Sequence, residues 1–190
     1  MSGFLDGTVV LDLASVGPAA RASRILADYG ATVVKVGPPP RKGGVQIEPP
    51  YYSYGAGRGM KRARIDLKAP DGKAAFLKLV AGADVLIESF RPGVAARLGI
   101  GYDDLRSVKP DIIYCSTSGY GQSGPRSQEA GHDIDYLAVG GFLHCSSRRA
   151  DGTPAIPSAT LADSAGGGMH AAIAILAALH GRARTGEGAY

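Results

Sequence analysis

The stretch "GTVVLDLASVGPAARASRILADYGATVVKVG", residues 7–37, decides the fold. "GTVVLDLA" (7–14) places β-branched residues and Leu after a Gly turn, which predicts a buried strand. "GPAARASRILADYGA" (17–31) predicts a helix, with Pro18 suited to its first position and Gly30 to its C-terminal cap. "TVVKVG" (32–37) predicts a second strand. A strand, a helix and a strand joined this tightly form a β-α-β unit, whose crossover to a parallel strand is right-handed.

The same alternation continues outward. "MKRARIDLKA" predicts a short strand, "DGKAAFLKLVAGA" (71–83) a helix and "DVLIESF" (84–90) a strand. "RPGVAARLGIGYDDLRSVKP" (91–110) predicts a pair of helices with turns, and "DIIYCSTSGYG" (111–121) a further strand. "PSATLADSAGGGMHAAIAILAALHGR" (157–182) predicts a loop and a closing helix. Strands alternating with helices imply an α/β domain, Rossmann-like, with a mostly parallel sheet and flanking helices, over residues 1–190. Such sheets bind ligands at the carboxyl ends of their strands. The Pro-, Gly- and Tyr-rich stretch 38–59 is too long for a plain connection and predicts a functional surface loop. No G-x-G-x-x-G follows the first strand, so a dinucleotide fingerprint is absent.

Bulk properties narrow the function. The 190 residues carry a formal charge of +4, mild enough to suit an anionic small molecule. No Lys/Arg run interleaved with aromatics points to nucleic acid. The two cysteines, Cys115 and Cys145, do not make a disulfide scaffold or a metal site, and none of the four histidines forms a close pair. The longest apolar run, near residue 170, falls short of the ~20 residues of a membrane span. With no basic, apolar leader at the N-terminus, the expectation is a cytoplasmic protein.

Two segments are specific beyond composition, "ESFRPGV" (88–94) and "GYGQSGP" (119–125), and "GHDIDY" (131–136), "LADSAGGG" (161–168) and "RTGEG" (184–188) accompany them. On these the chain resembles the family III CoA-transferases (CaiB/BaiF-like), which include the 2-methylacyl-CoA racemases. The resemblance runs over nearly the whole chain. It implies the large α/β domain of that family, corresponding to its first half. Members are about twice as long, return through a smaller domain absent here, and interlock as dimers. The implied partner is therefore a second copy, or a chain supplying the second half.

Within the family, the racemase branch is similar in carrying a His at the position of His132 and an Asp at that of Asp163. Transferases keep the Asp as a nucleophile and generally lack the His. The implied reaction is epimerisation at C2 of a 2-methyl-branched acyl-CoA thioester by two groups, one taking a proton and the other returning it. Histidine and a buried carboxyl suit such exchange because burial lifts the carboxyl towards the imidazole range. The alternatives are a CoA-transferase working through an Asp163 aspartyl-CoA intermediate, and a CoA-binding subunit of a split enzyme.

The remaining site residues follow from the chemistry. Gly166, Gly167 and Gly168, expected at a helix start, would offer amides to the thioester oxygen, or else permit close helix packing. Asp133 is expected to cap the helix of "HDIDYLAV". Arg91, at the carboxyl end of a strand, is the first candidate for the CoA phosphates, because a guanidinium fork fits them. Arg41, Lys42, Arg58, Lys61 and Arg62 are further candidates, and Tyr120 is expected to flank the pantetheine. No metal and no cofactor beyond the CoA of the substrate is expected.

Overall fold

The computed structural model describes residues 3–14, 17–40 and 57–190. Arg41 and Lys42 lie outside the described residues. Five parallel strands form the sheet: β1 (Val9–Asp12), β2 (Thr32–Gly37), β3 (Lys61–Arg64), β4 (Val85–Glu88) and β5 (Ile113–Ser116). Their order is β3-β2-β1-β4-β5. The chain therefore walks outward from β1 in one direction, then restarts on its other side. The crevice between β1 and β4, where the order reverses, is where such sheets bind ligands.

Side chains alternate across the strands, as period two requires. Val10, Val85, Ile87 and Ile113 point to one face, where they meet α1 (Gly17–Asp28) and α7 (His170–Thr185) through Ala19, Ala22, Leu26, Ala172 and Ile175. Leu11, Leu86 and Tyr114 point to the other, onto Phe76 and Val80 of α2 (Pro70–Ala81) and Leu105 of α4 (Tyr102–Arg106). Between α2 and α4 runs α3 (Val94–Leu98). With both faces covered, the central strands read as unbroken apolar runs.

Gly30 ends the first crossover at φ +106°, a left-handed conformation that glycine adopts without penalty. Its α-carbon also lies against Gly3, so close that a β-carbon on Gly30 would come within 2.8 Å of it.

Two short helices, α5 (Asp133–Val139) and α6 (Phe142–Cys145), follow β5. The chain then enters a π-helix, Leu161–Met169, that runs without a break into α7. The continuous helix has 25 residues and is long and apolar enough to cross a membrane by length and composition alone. The sequence shows a shorter run because Asp163, Ser164 and the glycines interrupt it. In the fold its inner side packs against α1 and β5. Arg182 fixes its far end, 2.7 Å from Asp84 before β4 and 3.6 Å from Asp111 before β5. Its last turns thus lie at the amino edge of the sheet, and the π-helix lies towards the carboxyl edge.

Beyond α7, Ala189 forms a parallel bridge with Ile113 at the outer side of β5. Tyr190 stacks on Tyr102 at 5.4 Å.

Candidate active site

The two central strands both end in a buried carboxylate. Asp12 is fully buried and accepts the Ala14 amide at 2.7 Å. It also pairs with Lys35 at 2.7 Å, and the Lys35 ammonium donates on to the Ala14 carbonyl. Burial pushes the Asp12 carboxyl up, and Lys35 works against that. Glu88 is buried as well and accepts the Phe90 amide at 2.6 Å. Burial raises it too, opposed by a hydrogen bond from Ser116. Each carboxylate catches the amide two residues on, and so bends the strand into the loop over the carboxyl edge. The loop after β4 presents Arg91, exposed. Cys115 lies beside this pair. Burial, with Glu88 as the nearest charge, pushes its thiol up to about 11, so it is a protonated core group.

His132 is the N-cap residue of α5 and is exposed. Only its backbone serves the cap. The Asp135 carboxylate accepts the His132 amide at 2.9 Å, and the Asp135 amide donates to the His132 carbonyl at 2.9 Å. The imidazole takes no part in the cap. Asp135, three residues into the helix, closes a capping box and so does the capping expected of Asp133.

Asp133 instead reaches across thirty residues. Its carboxylate accepts the backbone amide of Asp163 at 2.8 Å. Asp163 lies in the first turn of the π-helix rather than at its cap. Thr160 is the cap residue, and its hydroxyl meets that of Ser164 at 2.8 Å. The Asp163 carboxyl is half-buried, and desolvation holds it above the ordinary carboxylate range. The Asp133 charge pushes the same way, and the His132 charge pulls it back. The charge of His132, remote in sequence, therefore reaches the Asp163 carboxyl.

Tyr136, one turn after His132, completes the surroundings. Its hydroxyl donates to the Gly131 carbonyl at 2.6 Å. Desolvation and then the Asp163 charge push that hydroxyl upward. Tyr120 packs edge-on against Tyr136 with ring centroids 5.2 Å apart, and the Arg126 guanidinium lies 6.0 Å from the Tyr120 centroid. The "GYGQSGP" turn is thereby fastened to the helix of His132. Sequence reasoning missed Tyr136, although its place four residues after His132 on one helix was a usable signal.

The glycine run departs from expectation. Gly166, Gly167 and Gly168 sit inside the π-helix, not ahead of it. Within such a helix each amide is directed to the carbonyl five residues back. A β-carbon on Gly167 would fall 2.7 Å from Pro18, and one on Gly168 2.6 Å from Arg21. These glycines let the π-helix lie against the first turns of α1. Close packing, the plainer of the two expected roles, is the one observed.

The basic candidates also separate. Arg58 pairs with Asp28, the last residue of α1, at 2.7 Å, and so lies towards the amino edge of the sheet. Arg24 ties in as well, 2.8 Å from Asp28 and donating to the Arg58 carbonyl. Lys61 and Arg62 open β3, an edge strand, three strand spacings from β4, or about 14 Å. Arg91, Tyr120, His132 and Asp163 share the carboxyl side; Arg58, Lys61 and Arg62 do not join them. Among the described residues no group of three metal-ligating side chains forms.

Comparison with known proteins agrees with this geometry. A family model described as CoA-transferase family III matches residues 5–190. The chain is 40% identical to human alpha-methylacyl-CoA racemase over 97% of its own length and 46% of the racemase's. It is 36% identical to acetyl-CoA:oxalate CoA-transferase of Acetobacter aceti, over 99% of this chain and 50% of that one. The crystal structure of a CAIB/BAIF family protein from Brucella suis superposes with a TM-score of 0.88 at 33% identity, covering 99% of this chain and 52% of that one. The chain thus spans about half the length of the curated relatives it matches.

Proposed function

The chain belongs to CoA-transferase family III, and on that premise we propose that it epimerises C2 of 2-methyl-branched acyl-CoA thioesters. The observation that supports this is an imidazole free of its helix cap on α5 and, on the π-helix whose Asp163 amide α5 holds through Asp133, a half-buried carboxyl raised above its usual range. The C2–H bond breaks towards one of them, and its electrons pass into the thioester carbonyl as an enolate. The other group then gives its proton to the opposite face of C2. His132 serves one hand of the substrate and Asp163 the other, and their roles exchange with direction. A carboxyl held high is a better proton carrier at neutral pH than an ordinary one, because the ideal acid or base has a pKa near the working pH.

In this reading Arg91, exposed on the loop after β4, takes a CoA phosphate, and Tyr120 flanks the pantetheine arm. Gly167 and Gly168 are occupied with packing against α1, so in this reading the enolate oxygen takes its donors from elsewhere. Because the relatives are about twice as long, the working assembly includes their second half, on this chain or on a partner. An interlocked dimer is the expected form.

A second reading has its own support, since relatives at similar identity are CoA-transferases. There Asp163 attacks the acyl thioester, expelling CoA thiolate and forming a mixed anhydride. The thiolate then attacks the Asp163 carbonyl, releases the acid and leaves an aspartyl-CoA thioester. His132 separates the two. Its replacement in His132→Ala abolishes inversion at C2 in the first reading and leaves CoA transfer intact in the second. Measuring both activities on the protein as isolated, with any chain that co-purifies, decides between them.

A further inference from the structure

The hydrogen bond from the Asp163 amide to the Asp133 carboxylate joins two segments thirty residues apart, and nothing in the sequence announces it. It is also unusually placed. Asp133 is the first residue of α5, directly after His132, and Asp163 is the third residue of the π-helix. One contact therefore ties the backbone beside the imidazole to the backbone of the carboxylate. The two helices also pack against each other, with Leu137 of α5 buried and Ile134 and Val139 facing outward. On the far side the π-helix is seated by Gly167 on Pro18 and by Gly168 on Arg21. From the near side the Asp133 bond is the polar fixture.

We propose that Asp133 is a positioning residue: by gripping the Asp163 amide it sets the gap between the His132 imidazole and the Asp163 carboxylate. The inference rests on the two-base reading above. Asp133 touches no substrate in this role; it acts through Asp163. Its charge has a second effect, because a carboxylate beside Asp163 disfavours a second negative charge there. The other groups facing Asp163 are His132 and Tyr136 from α5, with Arg21 of α1 against the same π-helix and His170 just beyond it.

Two substitutions separate the grip from the charge. Asp133→Asn keeps a side-chain carbonyl that can accept the Asp163 amide and removes the charge. Asp133→Ala removes both. The direct readout is the NMR signal of the Asp163 amide proton and the pH titration of its carboxyl carbon. The amide proton keeps its hydrogen-bonded shift in Asp133→Asn and loses it in Asp133→Ala. The carboxyl titrates at lower pH in both. In proton exchange at C2, Asp133→Ala lowers kcat about 100-fold with KM little changed, the scale of an ångström of misplacement. Asp133→Asn recovers most of that loss, with the acid limb of its kcat/KM profile moved to lower pH.

The inference is overturned if Asp133→Ala keeps its kcat, or if Asn and Ala lose activity and thermal stability alike. It is also overturned if the Asp163 amide signal does not respond to Asp133→Ala. Absence of C2 exchange in the unmodified protein would sink the two-base reading instead. The NMR readouts would still report on the grip itself.

Discussion

Asp12 and Asp163 are both lifted by burial, and the surroundings treat them in opposite ways. Asp12 is sealed at the centre of the sheet, where Lys35 opposes the lift and the Ala14 amide fills one of its oxygens. Asp163 is half-exposed, and the nearest carboxylate, Asp133, adds to the lift. Asp133 bonds to the backbone of Asp163 and leaves the carboxyl itself unclaimed. Neutralising every polar atom, as around Asp12, makes a corner that holds shape. Leaving a carboxyl free and raising it makes a group that can trade protons. Perturbed groups of the second kind cluster at functional sites, while a paired buried ion is as often structural.

The strongest way to break this contrast is at Lys35. Lys35→Ala leaves a buried carboxylate without its cation, and loss of about 3–5 kcal/mol of stability is expected. Chemical denaturation measures it. If stability falls by less than about 1 kcal/mol, Asp12 is not held by this pair. Asp163→Asn, by contrast, should leave the denaturation midpoint where it was, or raise it, while removing activity. Stability sacrificed at a working site is a common pattern.

A middle-sized effect is expected at the seat of the π-helix. The β-carbon of Gly167→Ala would stand 2.7 Å from a rigid Pro18 ring, so α1 or the π-helix must shift. The expected cost is about 1–3 kcal/mol, with activity reduced because Asp163 rides on the same turn. Unchanged stability and activity would mean that the two helices are not in close contact there.

The smallest effect is a pH slope. The folded Asp163 binds its proton more tightly than the unfolded chain does. Between the ordinary carboxylate value and the raised one, the native state holds more protons than the unfolded state. The Asp163 contribution to stability is therefore full below the ordinary value and declines as pH rises through that window. Asp163→Asn should flatten this slope. If the slope of the midpoint against pH is the same with and without the carboxyl, Asp163 is not lifted.

The part of the fold that local rules control was legible in the sequence. β2 falls on the predicted residues 32–37, α1 lies within its predicted span and α2 starts one residue ahead of its own, because apolar spacing and the Pro18 and Gly30 signals are local. His132 and Asp163 were singled out through the motifs around them and the family resemblance those motifs carry. What stayed hidden depends on contacts far apart in sequence. Asp133 looks like a cap for its own helix, and only the fold brings the Asp163 amide to it. The run of Gly166, Gly167 and Gly168 suggests the start of a helix, because glycine weakens helix interiors. The π-helix keeps it inside, and at Gly167 and Gly168 the neighbouring helix leaves no room for side chains. Arg58 looks like one member of a basic patch, yet Asp28 holds it at the other edge of the sheet.

The most direct test of the central claim is hydrogen exchange at C2. Each hand of a 2-methylacyl-CoA would be incubated separately in deuterated water with the protein as isolated, including any chain that co-purifies. Deuterium and configuration at C2 would then be followed by NMR. The account predicts deuterium incorporation with inversion from either hand, and loss of inversion in both His132→Ala and Asp163→Ala. Inversion that persists without either residue, or no exchange from a preparation that binds CoA, would contradict it.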